Sequence, residues 1–523
     1  MKKYMLKRLL LGILSAMAAT IIVMVMIYSL LDRNQVFSAD PVFTKQINNA
    51  KEAYKYRKWE EYGYLDYVPY SDYMNALAKE GEIDEETLSA AVKIARKAED
   101  DPEEVKTYVE KFTNYYESQG YTVRRMPAVT QGKNKVAPGG TQQLFAYKDK
   151  PLITRVLNYF SHVLTVDNIH YVQEDIGERG LTFTLHDPLY GGEKFAPAII
   201  GNGTHHKYLF YVDGKFPYLH QNLLTINLGT SYTVNQGVDV FTTMTQSQGS
   251  YILSPVTFPT GLKEDSADDL HTATYMAGSR EVSPIAAARF TDDYTNIITN
   301  KGAMSKIGFS FVLGICSSIM AYAIGIPAGI VMARKKDKTI DKIGTAYIVF
   351  SLAVPSLAYI FMVKAVGGMA GLPTTFDVQK GTWLMYVLPI ISLALPSIGN
   401  LMKWLRRYMI DQMNSDYVRF ARAGGLSEHE IFSKHIFKNA AIPIIHGIPS
   451  TVLSALVGAI ITERVYVVPG AGNLLTTAIS NYDNSVIVGL TLFYALLSVV
   501  SIILGDLLMS MVDPRISFVE KAR

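Results

Sequence analysis

The sequence predicts an α-helical polytopic membrane protein with six transmembrane helices and a large α+β insert between the first and second. Three observations predict it. Six apolar runs, at residues 9–31, 307–333, 343–366, 383–402, 442–461 and 486–512, each reach about the 20 residues a helix needs to cross a hydrocarbon core. Lys and Arg gather in the connections that alternation places on one side. Between the first two runs lie about 275 residues, 32–306, enough chain to bury a core of their own. The chain has 523 residues, 49% of them hydrophobic, and a net charge of +3, so the charge balance gives no reason to expect nucleic acid. Its one cysteine, Cys316, excludes an intrachain disulfide.

The first run, residues 9–31, follows Lys2, Lys3, Lys7 and Arg8. A secretory signal competes, because "VFSAD" at 36–40 offers a small-residue site. Signal cores run only about 7–15 residues, however, so 23 apolar residues favour an uncleaved anchor. Arg334, Lys335, Lys336, Lys338 and Lys342 then mark one connection, and Lys403, Arg406, Arg407, Arg419, Arg422, Lys434 and Lys438 mark another. Counted with the basic N-terminus and with Arg515, Lys521 and Arg523, they place both termini in the cytoplasm and residues 32–306 outside the cell membrane.

The first half of that insert reads helical. Asp84 opens a run with Leu88, Ala91, Val92 and Ala95 on one face. "DPEE" at 101–104 supplies an N-cap, a proline at the first helical position and a capping-box Glu, and Val105, Val109, Phe112 and Tyr116 follow at helical spacing. The pair predicts a helical hairpin. From 181 to 251 the chain is richer in Thr, Tyr, Val and Gly, and Asp213-Gly214 in "KYLFYVDGKFPYL" predicts a β-hairpin. The tyrosines between Tyr54 and Tyr73 read either as ordinary core and surface residues or as a peptide-binding surface.

Residues 404–441 interrupt the apolar pattern. A helix through 408–423 meets Gly424-Gly425, where a left-handed residue readily ends a helix. Ser427 and Glu430 form a capping box, and Ile431, Phe432, His435 and Ile436 make an apolar face, while Glu428 and Lys434 point away. Such a face needs a partner or a bilayer to cover it.

"ARAGGLSEHEIFSKHIFKNAAIP" resembles the cytoplasmic EAA-type loop of ABC importer permeases of the oligopeptide and dipeptide type. Its central glycine falls on Gly425 and its alanine on Ala421; Arg419, followed by Phe420, stands where the family has an acidic residue. "GAIITERVYVVPGAGNLLTTAISNYDNSVIVGLTLFYALLSVVSIILGDLLMSMVDPRI" (458–516) is similar to the C-terminal third of the same permeases, with Glu463, Pro469, Gly470, Gly472, Asp483, Asp506 and Asp513-Pro514-Arg515 on the pattern. "INLGTSY" at 226–232 resembles a short motif these subunits carry after their first span. The resemblance covers about 45% of the chain and leaves out most of the insert.

It implies the type I ABC importer permease fold and a division into an N-terminal span (1–31), an extracellular domain (32–306), a five-helix core (307–512) and a cytoplasmic tail (513–523). The implied function is the permease subunit of an ATP-driven oligopeptide importer of a bacterial cell membrane, forming half of the translocation pathway. Implied partners are a second permease, two ATP-binding subunits, an extracellular peptide-binding lipoprotein, the peptide and membrane lipid. Arg419, Ala421, Gly425, Leu426, Glu428, Ile431, Phe432, His435 and Ile436 would couple to the ATPase. Glu463, Pro469, Gly470, Gly472, Asp506 and Asp513 would serve the pathway or the fold.

Glu463 reads as a constraint near the pathway or as an interfacial charge, Asp506 as functional or structurally paired, and Lys364 as a snorkelling lysine. His205-His206 lacks acidic or cysteine partners at ligand spacing, and Asn202-Gly203-Thr204 matches a glycosylation acceptor with no meaning in a bacterial setting. The sequence contains no G-x-x-x-x-G-K-[ST], so ATP and Mg are expected on partner subunits and no cofactor on this chain. The rival reading is a membrane-anchored sensor with the insert as receptor; it leaves the 458–516 pattern unexplained.

Overall fold

The computed structural model describes residues 2–132, 135–166, 224–245, 303–378 and 380–512, with isolated strands and short pieces between 180 and 298. Among the described residues, five helices are long and apolar enough to cross a membrane, six if one bent pair counts as a single span.

Helix α1 (Lys2–Leu30) is the first span. The chain then enters an α+β unit. Helices α2 (Pro41–Lys45) and α3 (Asn48–Glu61) lead into β1 (Leu65–Pro69), followed by α4 (Tyr70–Lys79), α5 (Glu85–Ala91), α6 (Glu103–Ser118), β2 (Thr122–Met126) and β3 (Gln143–Asp149). The three strands form one antiparallel sheet in the order β1-β3-β2, with Val68 opposite Ala146 and Ala146 opposite Val123. Tyr56, Trp59, Tyr62, Tyr64, Tyr67 and Phe145 fill one core of this unit, and Tyr70, Met74, Phe112 and Leu144 another. The tyrosines between Tyr54 and Tyr73 are therefore chiefly core residues, not a peptide-binding surface.

The expected helical hairpin is α5 and α6, with Asp84 capping Thr87 N at 2.8 Å. Asp101, expected to cap α6, does not. Its carboxylate instead accepts from Ala95 N at 2.7 Å and from Arg125 Nη2 at 2.9 Å, and Pro102 occupies the N-cap position. A buried carboxylate gains more from a guanidinium than from a capping N–H.

Helix α7 (Leu152–His162) and β4 (Leu164–Val166) follow. A four-stranded antiparallel sheet then carries β5 (Gly180–Thr184), β6 (Ala198–Asn202), β7 (Tyr208–Asp213) and β8 (Phe216–Tyr218). A hairpin forms there, with Phe216 opposite Asp213, one residue later in register than an Asp213-Gly214 turn would set. His205, His206, Gly203 and Thr204 lie outside the described residues, as do Asp513 and the tail. Strand β9 (Leu224–Ile226) pairs with β4, and the short helix α8 (Val240–Thr245) packs on the membrane helices.

Helix α9 (Lys306–Arg334) is the second span. The run at 343–366 was expected as one span, but it folds as α10 (Thr339–Ala353) and α11 (Ser356–Met369), bent by 111°. Pro355 supplies no N–H and pushes Val354 out of the helical region, to φ −80° and ψ 127°. Helix α12 (Val387–Met413) continues one face well past the apolar run. Next come α13 (Asp416–Ala423), a turn, the segment Glu428–Glu430 continuing through Ile431–Phe437, and α14 (Lys438–His446). The bundle closes with α15 (Ile448–Tyr466), α16 (Ala471–Ser480) and α17 (Asn484–Val512). Gly325 and Gly329 let α9 approach Leu401 and Leu405 of α12 within Cβ contact, the small-residue packing common between membrane helices.

Candidate functional site

The turn after α13 is built by glycine geometry. Gly424 N–H donates to Phe420 O at 2.8 Å and Leu426 N–H to Ala421 O at 3.2 Å, closing the helix. Gly425 sits at φ +81°, a left-handed conformation that costs an L-residue with a branched Cβ most. Space is not the constraint, since a Cβ there would meet nothing within 4 Å. Ser427 and Glu430 form the full reciprocal capping box. Arg422 grips Glu428 bidentately, Nε donating to Oε1 at 2.6 Å and Nη2 to Oε2 at 3.1 Å, across the turn. These bonds hold both carboxyls below the usual range: Arg422 lowers Glu428, and Ser427 with Lys434 lowers Glu430.

The apolar face expected to need an outside partner already has one. Ile431 and Ile436 are fully buried against Met332, Ala333, Leu405, Met409 and Val418 of the same chain. Phe432 is half-buried, with the Arg334 guanidinium 4.5 Å over its ring, and His435 is half-buried near Tyr417. Periodicity identifies the face as apolar; its cover is the bundle itself and not a partner. What the turn leaves open is Phe420, 77% exposed, and Leu426, 40% exposed, flanked by the exposed Arg419, Glu428 and His429. From Ile431 to Phe437 the helix widens to i→i+5 bonding, a rare local form that recurs at functional positions. Nearby in the bundle, Asp341 of α10 receives Arg406 Nε of α12 at 2.6 Å and its Nη2 at 2.7 Å, tying those two helices together.

Glu463, Gly470 and Gly472 form a second cluster. The Glu463 side chain is fully buried, accepting from Ser310 Oγ at 2.6 Å and from Asn473 N–H at 2.8 Å. Ser310 Oγ in turn accepts from Ala471 N–H at 2.9 Å. A carboxylate and a hydroxyl from two spans thus satisfy the open N–H groups at the start of α16, where the helix dipole favours negative charge. A Cβ at Gly470 would fall 2.3 Å from the Glu463 carboxyl carbon, and one at Gly472 2.6 Å from Ile460 Cα, so neither position admits a side chain. Pro469 precedes this clamp directly. Glu463 is neither interfacial nor shown facing a pathway: it is a buried helix cap. Lys364 does not snorkel freely; its ammonium donates to Val465 O at 2.6 Å, near the end of α15.

Asp506 is structurally paired. Arg8 Nε lies 3.3 Å from one carboxylate oxygen and His446 Nε2 3.6 Å from the other, joining α1, α14 and α17. Asp483 does more. Its Oδ2 accepts from Ser231 Oγ at 2.6 Å and from the N–H groups of Tyr232, Thr233 and Val234 at 2.9, 2.9 and 3.1 Å. Beside it Asn484 donates to the Tyr64 hydroxyl at 2.9 Å, and Tyr62 stacks on Tyr232 with centroids 3.7 Å apart. The "INLGTSY" segment is therefore the strap that ties the insert to the bundle.

A cavity of about 300 Å³ opens between α9, α12, α14 and α15, lined in part by Tyr322, Ser397, Asn400, Trp404, Tyr408, Ser450, Thr451 and Ser454. Its polar side-chain groups are hydroxyls, the Asn400 amide and the Trp404 indole N–H, with no ionised side chain. Sequence reasoning missed it, although Ser397 and Asn400, and Ser450 and Ser454, recur at helical spacing inside apolar runs. Among the described residues no group of three or more His, Cys, Asp or Glu is placed to hold a metal ion.

These features make a bent, small-residue-packed helical membrane bundle with a glycine turn and a carboxylate-capped helix, and similarity to known proteins identifies its class. Residues 325–518 match the family described as the binding-protein-dependent transport system inner membrane component. The oligopeptide transport system permease protein AmiC of Streptococcus pneumoniae is 33% identical over 100% of this chain and 99% of its own length. The chain belongs to the oligopeptide-type permeases of this family. The oligopeptide permease AppB of Bacillus subtilis is 30% identical but covers only 43% of this chain and 76% of itself; the dipeptide permease DppB of the same organism is 29% identical over 42% and 71%. The likeness to AmiC thus runs through the insert, where that to AppB and DppB covers less than half the chain. A solved inward-facing MetNI methionine ABC transporter aligns with 40% of this chain at 14% identity and a TM-score of 0.32.

Proposed function

We propose that this chain forms half of the translocation pathway of an ATP-driven oligopeptide importer and receives the ATPase stroke through the turn at Phe420–Leu426. The observation that carries the coupling reading is the exposed pair Phe420 and Leu426 on a turn held twice, once by Arg422 on Glu428 and once by the Ser427–Glu430 capping box. A rigid lever with an apolar tip transmits motion; a loose loop would absorb it. This moves the contact from Ile431 and Ile436, which are buried, to the residues just before them. The basic connections point to cytoplasmic termini and an extracellular insert. Partners in this reading are a second, similar permease, two ATP-binding subunits that hold ATP and Mg, and a peptide-binding lipoprotein that delivers to the insert.

The uncharged cavity lining suits a peptide backbone, whose N–H and C=O groups hydroxyls and amides can bond whatever the side chains. Rocking of the two permeases would open it alternately to each side. The test is Gly425→Val, which forces a β-branched residue into the left-handed turn. Peptide uptake should be lost at normal membrane abundance; retained uptake at normal abundance removes Gly425 from the coupling turn.

A further inference from the structure

Helix α7 carries its apolar residues on a wide arc. At 100° per residue, Leu152, Ile153, Val156, Leu157, Tyr159 and Phe160 fall together, while Thr154, Arg155, Asn158, Ser161 and His162 share the opposite side. One part of the apolar arc is covered: Val156, Tyr159 and Phe160 pack on Met24, Ile27 and Val488. The remainder is not, leaving Ile153 70% and Leu157 63% exposed.

The span that α7 packs on carries an exposed apolar surface of its own. Ile22, Val25, Met26 and Leu30 of α1 are exposed at 60, 39, 54 and 75%. As residues of an apolar span they meet lipid. The level of α7 is set by its contacts. Met24 is six residues from the end of α1, about 9 Å at the α-helical rise, and Val488 lies within the first turns of α17. Helix α7 therefore sits where two neighbouring spans leave the hydrocarbon, at the depth of about 5–10 Å that interfacial helices occupy. Arg155, on the polar side, is fixed between the rings of Tyr28 and Tyr64, 3.6 and 3.9 Å from their centroids, so the helix cannot roll its apolar edge inward.

We infer that α7 is a membrane-interface helix whose Ile153 and Leu157 insert into the lipid beside α1. It holds the base of the insert to the bilayer independently of the Asp483 strap. The occupant of this face is lipid, because the uncharged face lies at the level where α1 and α17, the two spans that α7 packs on, leave the hydrocarbon. The inference goes beyond the transport reading and does not depend on which substrate is moved.

The test uses the full chain in its assembled transporter, in lipid nanodiscs, with Cys316→Ala as background. Nitroxide labels are placed one at a time at Ile153→Cys, Leu157→Cys, Thr154→Cys and Asn158→Cys, and collisions with oxygen and with a neutral nickel chelate are compared. Positions 153 and 157 should collide several-fold more with oxygen than with nickel, and 154 and 158 the reverse. Nickel exceeding oxygen at 153 and 157 would place the face in water, and exclusion of both reagents there would place it under another protein; either result overturns the assignment.

Discussion

Replacing Asp483 by alanine isolates the strap between insert and bundle. In the native chain its Oδ2 receives one hydroxyl and three backbone N–H groups, all within 3.1 Å, and the side chain is buried. Alanine leaves the N–H groups of Tyr232, Thr233 and Val234 without an acceptor. Each orphaned buried donor costs about 1–3 kcal/mol, and burying the wild-type carboxylate already costs part of what it returns, so a local loss of roughly 3–5 kcal/mol is expected. A penalty of that size raises the open population of the strap by more than a hundredfold without unfolding the bundle. The assay is amide hydrogen exchange of peptides spanning 226–245, with 398–413 as the internal control. Fast exchange in the first and unchanged exchange in the second is the expected pattern. Equal protection in mutant and wild type would refute the claim that Asp483 holds the strap.

Phe420→Asp should reduce copurification of the ATP-binding subunits while leaving abundance unchanged, whereas Ile436→Asp should reduce abundance itself, because it buries an unpaired carboxylate in the bundle. Gly470→Ala should destabilise the α15–α16 junction, since the added carbon meets the Glu463 carboxylate; Ser310→Ala should weaken the same cap by about 1–3 kcal/mol, and thermal unfolding of the purified chain reads both. In the insert, burial pushes the Asp101 carboxyl up, but hydrogen bonds from Arg125 and Ala95 N–H and the Arg125 charge outweigh it and hold it below the usual range. A depressed carboxyl stabilises fully above its unfolded value near pH 4 and loses that contribution as pH falls through the folded value. Thermal unfolding should therefore show a wild-type advantage over Asp101→Asn at pH 7 that shrinks toward pH 2.

What the sequence made legible follows from the range of each interaction. Apolar length located the spans, and Gly424-Gly425 with Ser427 and Glu430 located the turn, because those signals are local. The 111° bend at Val354-Pro355 was written in the proline, yet the run around it read as one span because hydropathy counts residues and not direction. The face of Ile431 and Ile436 was read as needing an outside partner, because periodicity shows that a face is apolar and carries no information on what covers it. Glu463 was left between a pathway constraint and an interfacial charge because its partners are Ser310, 153 positions away, and a helix start that only the folded bundle brings to it. Asp483 and Ser231, 252 positions apart, were likewise invisible as a pair. The tyrosines at 54–73 were left open between core and binding surface because composition alone does not separate an aromatic core from an aromatic patch.

The central claim is that the exposed tip at Phe420 and Leu426 is where the ATPase engages. Placing a photoreactive benzoylphenylalanine at Phe420, and separately at Leu426 and Ile436, in cells expressing the whole importer tests this directly. The account predicts ultraviolet-dependent adducts between an ATP-binding subunit and positions 420 and 426, and none from position 436. Adducts from 436 with no ATPase adduct from 420 or 426 would contradict it, returning the contact to the face that this structure buries.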